Sequence, residues 1–360
     1  MTQTSKKWRF GVNRWIVLLF ILIGVYFAGQ YPPIQPHIQL PAENVAGPYF
    51  QVAGQDVYLT NTVVAMLVAD VLLILMAFAF YRSTRKKNAI PKGISGAVEG
   101  LLEGLYNLTE GTAGKWTNTI FPVFATITLM VLVWNWTELI PGVDSFGWIE
   151  PVHAGQHGFP KEEVLPGLFT IVKPAADEHA APAGEHAETV DEHAAPAGEH
   201  GEAMEEHAAD QYLIVPFVRV ASTDLNFTLA LAVIAVVAVQ VMGFRALGFG
   251  YLKKFFNVKT FFSVPIFGVI DFAVGLLELI GEFAKILSFA FRLFGNIFAG
   301  SVLLFVIGTL VPVVAQSGFL MLEFFVGLIQ AIVFGMLTMV FMSQATISHD
   351  HGDDHGDEHH

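Results

Sequence analysis

Residues 278–300 read ELIGEFAKILSFAFRLFGNIFAG, and they lie inside an apolar run that extends over residues 261–311. A helix needs about 20 mostly apolar residues to cross the hydrocarbon core of a bilayer. The run is more than twice that length, so a single helix built from it must tilt or lie obliquely in the membrane. This stretch therefore predicts a long, oblique membrane helix.

The chain contains five other apolar runs that are long enough for a membrane helix. They cover residues 12–29, 59–81, 119–140, 223–243 and 319–347. The whole chain is 54% hydrophobic, above the ~45–50% of an ordinary soluble domain, which indicates that lipid is its solvent. The sequence predicts an all-α polytopic membrane protein with about five to six membrane helices, the last two long and oblique.

Basic residues give the orientation of these helices. Lys and Arg cluster at 6–14, 82–92 and 245–259, and such clusters mark the cytoplasmic side. Both termini are then cytoplasmic, and the turn predicted at 311–319 lies outside. The first apolar run fits either a retained anchor or a cleaved signal peptide, because its charged start and apolar centre are typical of both.

Residues 93–115 have a different pattern from the apolar runs. Leucines at helical spacing alternate with Glu99, Glu103 and Glu110, which predicts an amphipathic helix at the cytoplasmic membrane interface.

The acidic residues behind the net charge of -13 are concentrated between two apolar runs. There the sequence DEHAAPAGEH occurs at 177–186 and again at 191–200. An Ala/Pro/Glu/His tract of this kind cannot bury a core, so we expect it to be disordered. The sequence divides into an N-terminal membrane segment with an external stretch, membrane helices with the interfacial helix, an external loop, a second membrane domain and a cytoplasmic His/Asp-rich tail: 1–58, 59–140, 141–211, 212–347 and 348–360.

Histidines in this external loop and in the tail suggest metal binding as one interpretation. The alternative is a solvated acidic tract, which we favour because scattered histidines in a floppy loop fix no coordination geometry. The chain has no cysteine, which excludes disulfides and thiolate metal sites. We therefore predict neither a metal site nor a cofactor.

Ionisable residues at membrane depth are costly and indicate function. At about 100° per residue, the polar side chains of residues 278–300 fall within about 40° of the line through Arg292. They are Glu278, Lys285, Ser288, Arg292 and Asn296. In the last apolar run, Glu323 and Gln330 lie about 20° apart and so share one face.

Each polar residue of this face also has a purely structural interpretation. Lys285 could snorkel, Ser288 could bond back to its own helix, and Asn296 could only bridge helices. Arg292 differs because its guanidinium keeps its proton under cellular conditions. A buried permanent cation needs an anionic partner, and we expect that partner to come from another chain.

These residues resemble a known family. SFAFRLFGNIFAG at 288–300, Gln330-Ala331 with Leu337-Thr338, TDLNFT at 223–228 and WNWTELIP at 134–141 are similar to the signatures of subunit a of F-type ATP synthases. The similarity covers roughly residues 59–347, apart from the acidic loop.

The resemblance implies that Arg292 faces the essential carboxylate of each passing rotor subunit. It also implies an inner half-channel at Glu278 and an outer half-channel lined by Asn135, Glu138, Asn296, Glu323 and Gln330. Some family members have an acid at the position of Ser301 and His at that of Glu323, so the protonatable group is relocated here.

The resemblance further implies a proton-conducting stator subunit without a catalytic site of its own, in a bacterial inner membrane. The implied partners are the rotor ring of c subunits, the peripheral-stalk subunit b, other synthase subunits and lipid, with no nucleic acid. The chain contains no GxxxxGK[ST] loop for nucleotide. A secondary transporter is the main alternative class, and it predicts inverted repeats of membrane helices with Gly/Pro interruptions in matching halves, which we do not find in the sequence.

Overall fold

The computed structural model describes residues 10–30, 41–84, 93–140, 142–152, 158–171, 211–255, 265–311 and 313–347. The helices of these segments are α1 Phe10–Gln30, α2 Asn61–Thr84, α3 Ile94–Ala113, α4 Thr117–Thr137, α5 Leu225–Leu247, α6 Pro265–Leu310 and α7 Val314–Ala345. Five stretches of this part of the chain are long and apolar enough to cross a membrane: Asn61–Arg82, Ser95–Thr137, Leu225–Leu252, Phe272–Leu310 and Val314–Ala345. The predicted all-α polytopic architecture is confirmed.

The last two helices have the length that the apolar runs predict. With 46 and 32 residues, α6 and α7 are about 70 Å and 50 Å long at 1.5 Å per residue. Both exceed the ~30 Å hydrocarbon core of a bilayer. The connection between them is shorter than the predicted turn at 311–319, because α7 already begins at Val314. The small and polar residues after Val314 lower the local hydropathy but do not break the helix.

The predicted amphipathic helix is present as α3. Its buried side contains Leu105, Thr109 and Ala113, which recur at every fourth residue, whereas Glu103 and Glu110 are exposed. A short 3-10 segment, Gly114–Trp116, separates α3 from α4. Gly114 has a φ of 51°, a conformation that favours glycine, so the chain can change direction there.

In the described part of the chain, six strands form three separate two-stranded antiparallel sheets, none of which was predicted from the sequence. They are β1 Asn44–Val52, β2 Gln55–Thr60, β3 Gly147–Pro151, β4 Lys161–Leu165, β5 Leu168–Ile171 and β6 Tyr212–Pro216, paired as β1–β2, β3–β6 and β4–β5. The β1–β2 turn uses Ala53 and Gly54, both with positive φ, as a tight hairpin requires.

The chain folds as two compact units. One contains α1, the strands β3 to β6, and the end of α6 with the start of α7. The other, which carries most of the predicted site, contains the remaining elements. Its core joins α2, α4, α5, α6 and α7 through buried residues such as Ala69, Val131, Ala235, Leu293 and Phe334.

The start of α5 is fixed by an acidic cap. The Asp224 carboxylate accepts a hydrogen bond from the Asn226 backbone N–H at 2.9 Å, which satisfies a donor that the first turn leaves unpaired. Its other oxygen accepts the hydroxyl of Thr62 on α2 at 3.0 Å. The two helices are therefore joined by a buried polar contact where α5 begins.

The duplicated acidic tract and the His/Asp-rich tail, for which disorder and solvation were predicted, lie outside the described residues. The segment between α4 and α5 has strands on both sides of the tract, because β3 to β5 precede it and β6 follows it.

Candidate functional site

α6 has one buried and one exposed side. Phe289, Ala290, Leu293 and Ile297 are buried in the core. Arg292 lies on the exposed side. The other predicted polar residues of α6 follow the same side: Glu278 and Lys285 are half-buried, while Ser288 and Asn296 are exposed.

The guanidinium of Arg292 is available to a partner. Its Nη2 donates a hydrogen bond to the hydroxyl of Ser288, one turn earlier, at 3.3 Å. One turn later, a Cβ added to Gly295 would meet no atom within 4 Å, so the surface beside Arg292 is open. Small residues let helix backbones approach closely in membranes. A second helix could therefore come close to Arg292 along this side.

Glu323 on α7 lies against α6 with its carboxylate buried. Its side chain is only 6% exposed. The carboxylate occupies the space that a side chain at Gly300 would need, so the glycine makes room for the acid. Gly300 follows Arg292 by eight residues, about 12 Å along the helix. Among the described residues, Oε1 of Glu323 has no hydrogen-bond partner.

Asn135 connects the end of α4 to the helix that carries Glu323. Its Nδ2 donates to the Gly327 carbonyl at 3.2 Å, one turn after Glu323. Its Oδ1 accepts the hydroxyl of Ser222 at 2.6 Å. The neighbouring Trp136 donates through Nε1 to the Phe324 carbonyl at 3.2 Å. The predicted Asn135 is therefore brought to within one turn of Glu323.

The remaining predicted residues lie at different levels of the helices. Gln330 is half-buried seven residues after Glu323, and Glu138 is half-buried just beyond the end of α4. Ser301 is buried next to Gly300. Glu278 precedes Arg292 by about 20 Å along α6, so helical rise alone keeps these two side chains apart.

The structure also shows a buried polar network that was not predicted from the sequence. Glu282 is 6% exposed and forms an ion pair with Lys285, with 2.8 Å between Oε1 and Nζ. Its Oε2 accepts the Gln240 amide at 3.0 Å, and the hydroxyl of Tyr251 donates to Gln240 Oε1 at 2.8 Å. The sequence does contain an indication of this residue, because Glu282 is ionisable and lies in an apolar run.

A second missed acid is Asp70, which lies ten residues into the apolar α2. Its Oδ1 accepts the indole N–H of Trp134 at 3.2 Å. Trp134 is itself buried and packs edge-on against Phe227, with 4.7 Å between ring centroids. This contact provides a donor for a carboxylate at membrane depth, and it joins α2 to α4.

The described part of the chain has no group of three or more His, Asp or Glu side chains that could hold a metal. The histidine-rich tracts that suggested a metal site lie outside that part.

Comparisons with known proteins show the family of the chain. The family described as ATP synthase A chain matches residues 63–343. An ATP synthase subunit a from Moorella thermoacetica is 24% identical over 280 residues, 78% of this chain and 88% of the relative. Another from Mycobacterium ulcerans is 26% identical over 299 residues, 81% of this chain and 89% of the relative. A shorter match, with 37% identity over 129 residues, is to ATP synthase subunit a of Gloeobacter violaceus.

Proposed function

Because this chain belongs to the ATP synthase A chain family, we propose that it is the stationary, proton-conducting subunit against which a rotor ring turns. The observation that carries the proposal is the position of Arg292: a permanent cation on the exposed side of a long apolar helix, beside an open surface. Such a cation needs an anion, and a carboxylate on a partner helix satisfies that need.

The chemistry at Arg292 follows from the cost of charge in lipid. A rotor carboxylate that faces lipid is neutral, because an unpaired anion there is too unfavourable. Next to Arg292 the anion is stabilised, and the carboxylate releases its proton. A rotor subunit that leaves Arg292 must first take up a proton, so rotation is coupled to proton movement.

The outer half-channel delivers protons to the rotor. We assign to it Glu323 as the main protonatable group, with the polar residues Asn135, Glu138, Asn296, Gln330 and Ser301 along the route. The buried carboxylate of Glu323, which has no hydrogen-bond partner on Oε1 in the described part of the chain, supports this assignment. So does its contact with α6 two turns beyond Arg292.

The inner half-channel releases protons to the cytoplasm, and we assign Glu278 to it. Glu278 and Glu323 are associated with opposite ends of α6 relative to Arg292, so the guanidinium separates the two routes. A fixed cation between them repels protons and prevents a direct leak. Each proton that crosses the membrane down a potential of 100 mV releases about 2.3 kcal/mol, so several protons are needed for each ATP.

The proposed partners are the ring of c subunits at α6 and α7, the peripheral-stalk subunit b, other synthase subunits and membrane lipid. The proposed location is a bacterial inner membrane, with both termini cytoplasmic, as the basic clusters predict. Nucleotide chemistry belongs to other subunits of the complex, since this chain has no phosphate-binding loop.

Arg292→Ala tests the proposal. We expect loss of both ATP-driven proton pumping and ATP synthesis, because the rotor carboxylate then has no cation beside which to ionise. Arg292→Lys should also fail badly, since a compact ammonium does not reproduce the planar guanidinium. Both activities are measured in inverted vesicles at matched amounts of assembled complex.

Arg245→Ala is the matched control, because Arg245 is an exposed arginine near the end of α5, outside the site. It should retain both activities. Substantial coupled ATP synthesis by the Arg292→Ala complex would overturn the proposed function.

A further inference from the structure

Two cations lie on the same side of α6, seven residues apart. Lys285 and Arg292 are the lysine and arginine residues of this helix. At about 100° per residue they differ by only about 20° in direction, and by about 10 Å along the axis. A rotor carboxylate that approaches Arg292 thus passes close to Lys285.

The two cations have different surroundings. Arg292 is exposed, and its guanidinium donates a hydrogen bond to the neutral hydroxyl of Ser288. Lys285 is half-buried, is paired with the Glu282 carboxylate at 2.8 Å, and has its Nζ 4.7 Å from the centroid of the Phe341 ring on α7. The charge of Lys285 is therefore neutralised within this chain.

Glu282 is held in place for this contact. Its second oxygen accepts the amide of Gln240 on α5, and Gln240 is held by the Tyr251 hydroxyl. Tyr251 is only 2% exposed and fills the space beside Gly243, where any Cβ would collide with its ring. Both carboxylate oxygens thus accept hydrogen bonds from donors of this chain, which hold Glu282 beside Lys285.

We propose that Glu282 neutralises Lys285, so that Arg292 is the cation that a rotor carboxylate meets on α6. This inference rests on the proposed function. Lys285 has a flexible four-carbon stem, so without Glu282 its ammonium can turn towards the rotor. It would then hold a rotor anion about two turns before the correct position, and rotation would pause there. Glu282 is a positioning residue in this scheme.

A double-mutant cycle tests the idea. Glu282→Gln keeps the size and removes the charge, and its single oxygen can accept one of the two hydrogen bonds that Glu282 accepts. We expect ATP-driven proton pumping to fall about tenfold, equivalent to a barrier increase of about 1.4 kcal/mol. Lys285→Gln alone should pump at nearly the wild-type rate. The double variant Glu282→Gln/Lys285→Gln should regain a pumping rate near that of the wild type, because it lacks the ammonium that would compete with Arg292. A structural ion pair would also recover in the double variant, so pumping is compared at matched amounts of assembled complex, where a merely structural role predicts wild-type pumping in Glu282→Gln.

A second pair of variants leaves the network intact. Gly281 lies on the same side of α6 as Arg292, and a Cβ there would meet no atom within 4 Å. Gly281→Lys adds a third cation to this side of α6 and should slow pumping as Glu282→Gln does, whereas the matched control Gly281→Gln should not. This pair gives an answer even where Glu282→Gln fails to assemble.

The outcomes separate this inference from the proposed function. The role of Glu282 alone would be overturned if Arg292→Ala loses activity as expected but the Glu282/Lys285 double variant does not recover. Equal pumping rates for Gly281→Lys and Gly281→Gln would overturn it in the same way. Coupled synthesis by Arg292→Ala would overturn both.

Discussion

The carboxylate of Glu323 is buried and yet close to the exposed side of α6. It lies in the space left by Gly300, and its Oε1 has no hydrogen-bond partner among the described residues. A buried acid with an unsatisfied oxygen is costly to keep, which is typical of a group that exchanges protons. Ser301, at the position where some family members have an acid, cannot titrate in a useful range.

Glu323→Gln should therefore slow proton flux strongly. The substitution keeps size and hydrogen bonding but removes proton exchange, so the supply of protons to the rotor falls. The loss should be partial, unlike that of Arg292→Ala, because the contact with the rotor is preserved. Proton pumping in inverted vesicles at matched protein levels gives the comparison, with Ser301→Ala as the control that should cause a much smaller loss.

The double change Ser301→Glu with Glu323→His moves the acid from one helix to the other. We expect it to recover at least part of the flux lost in Glu323→Gln. Wild-type flux in Glu323→Gln would mean that protons enter by another route, with Glu138 as the next group to test.

The residues of the exposed side of α6 could be predicted from the sequence, whereas the network behind them could not. Arg292 and Asn296 are on one helical line, so simple periodicity groups them. Glu282 is ten residues before Arg292, and thus about 80° away from that line. Its role depends on Gln240, 42 residues earlier on another helix. Only the packing of α5 against α6 brings the two together.

At the scale of elements, apolar runs predicted the helices to within a few residues. The strands were missed for a physical reason. Short two-stranded hairpins bury little apolar surface and are marginal on their own, so their sequence pattern is weak. β4, for example, contains Lys161 and Glu163 and is exposed throughout.

The strands before and after the acidic tract lie close to each other. Lys161 on β4 pairs with Ile171, the last residue of β5. The Nζ of Lys161 also lies 4.2 Å from the ring centroid of Tyr212, the first residue of β6. A short linker can therefore join the chain on either side of the tract.

Deletion of residues 175–209 should leave membrane insertion and ATP synthesis largely intact. The deleted low-complexity sequence cannot bury a core, and Ile171 and Tyr212, the described residues on either side of it, both lie against Lys161. The measurement is the amount of assembled complex and its rate of ATP synthesis, relative to the full-length chain. Failure of the complex to assemble would show that the tract has a structural role.

At the scale of the whole molecule, the chain is a multi-pass membrane protein, and the described polar groups of the site lie at contacts between helices and on one side of α6. The apolar runs were sufficient to predict the membrane helices, because the need to match the bilayer acts on each helix separately. The depth of Glu323 and the contact of Asn135 with Gly327 depend on packing between distant segments. Sequence periodicity carries no information about such packing.

The central claim is that the exposed side of α6, with Arg292, faces the rotor carboxylate. Because the chain contains no cysteine, single introduced cysteines report their own position without interference. Gly295 lies beside Arg292 on the open surface, whereas Leu293 is 1% exposed and belongs to the core.

Disulfide cross-linking is the most direct measurement. Gly295→Cys or Leu293→Cys is combined with a rotor subunit that carries a cysteine next to its essential carboxylate, and the complex is mildly oxidised in membranes. We predict that Gly295→Cys links to the rotor, stops ATP-driven proton pumping, and recovers on reduction, while Leu293→Cys forms no link. Linkage at Leu293 but not at Gly295, or at neither position, would contradict the account.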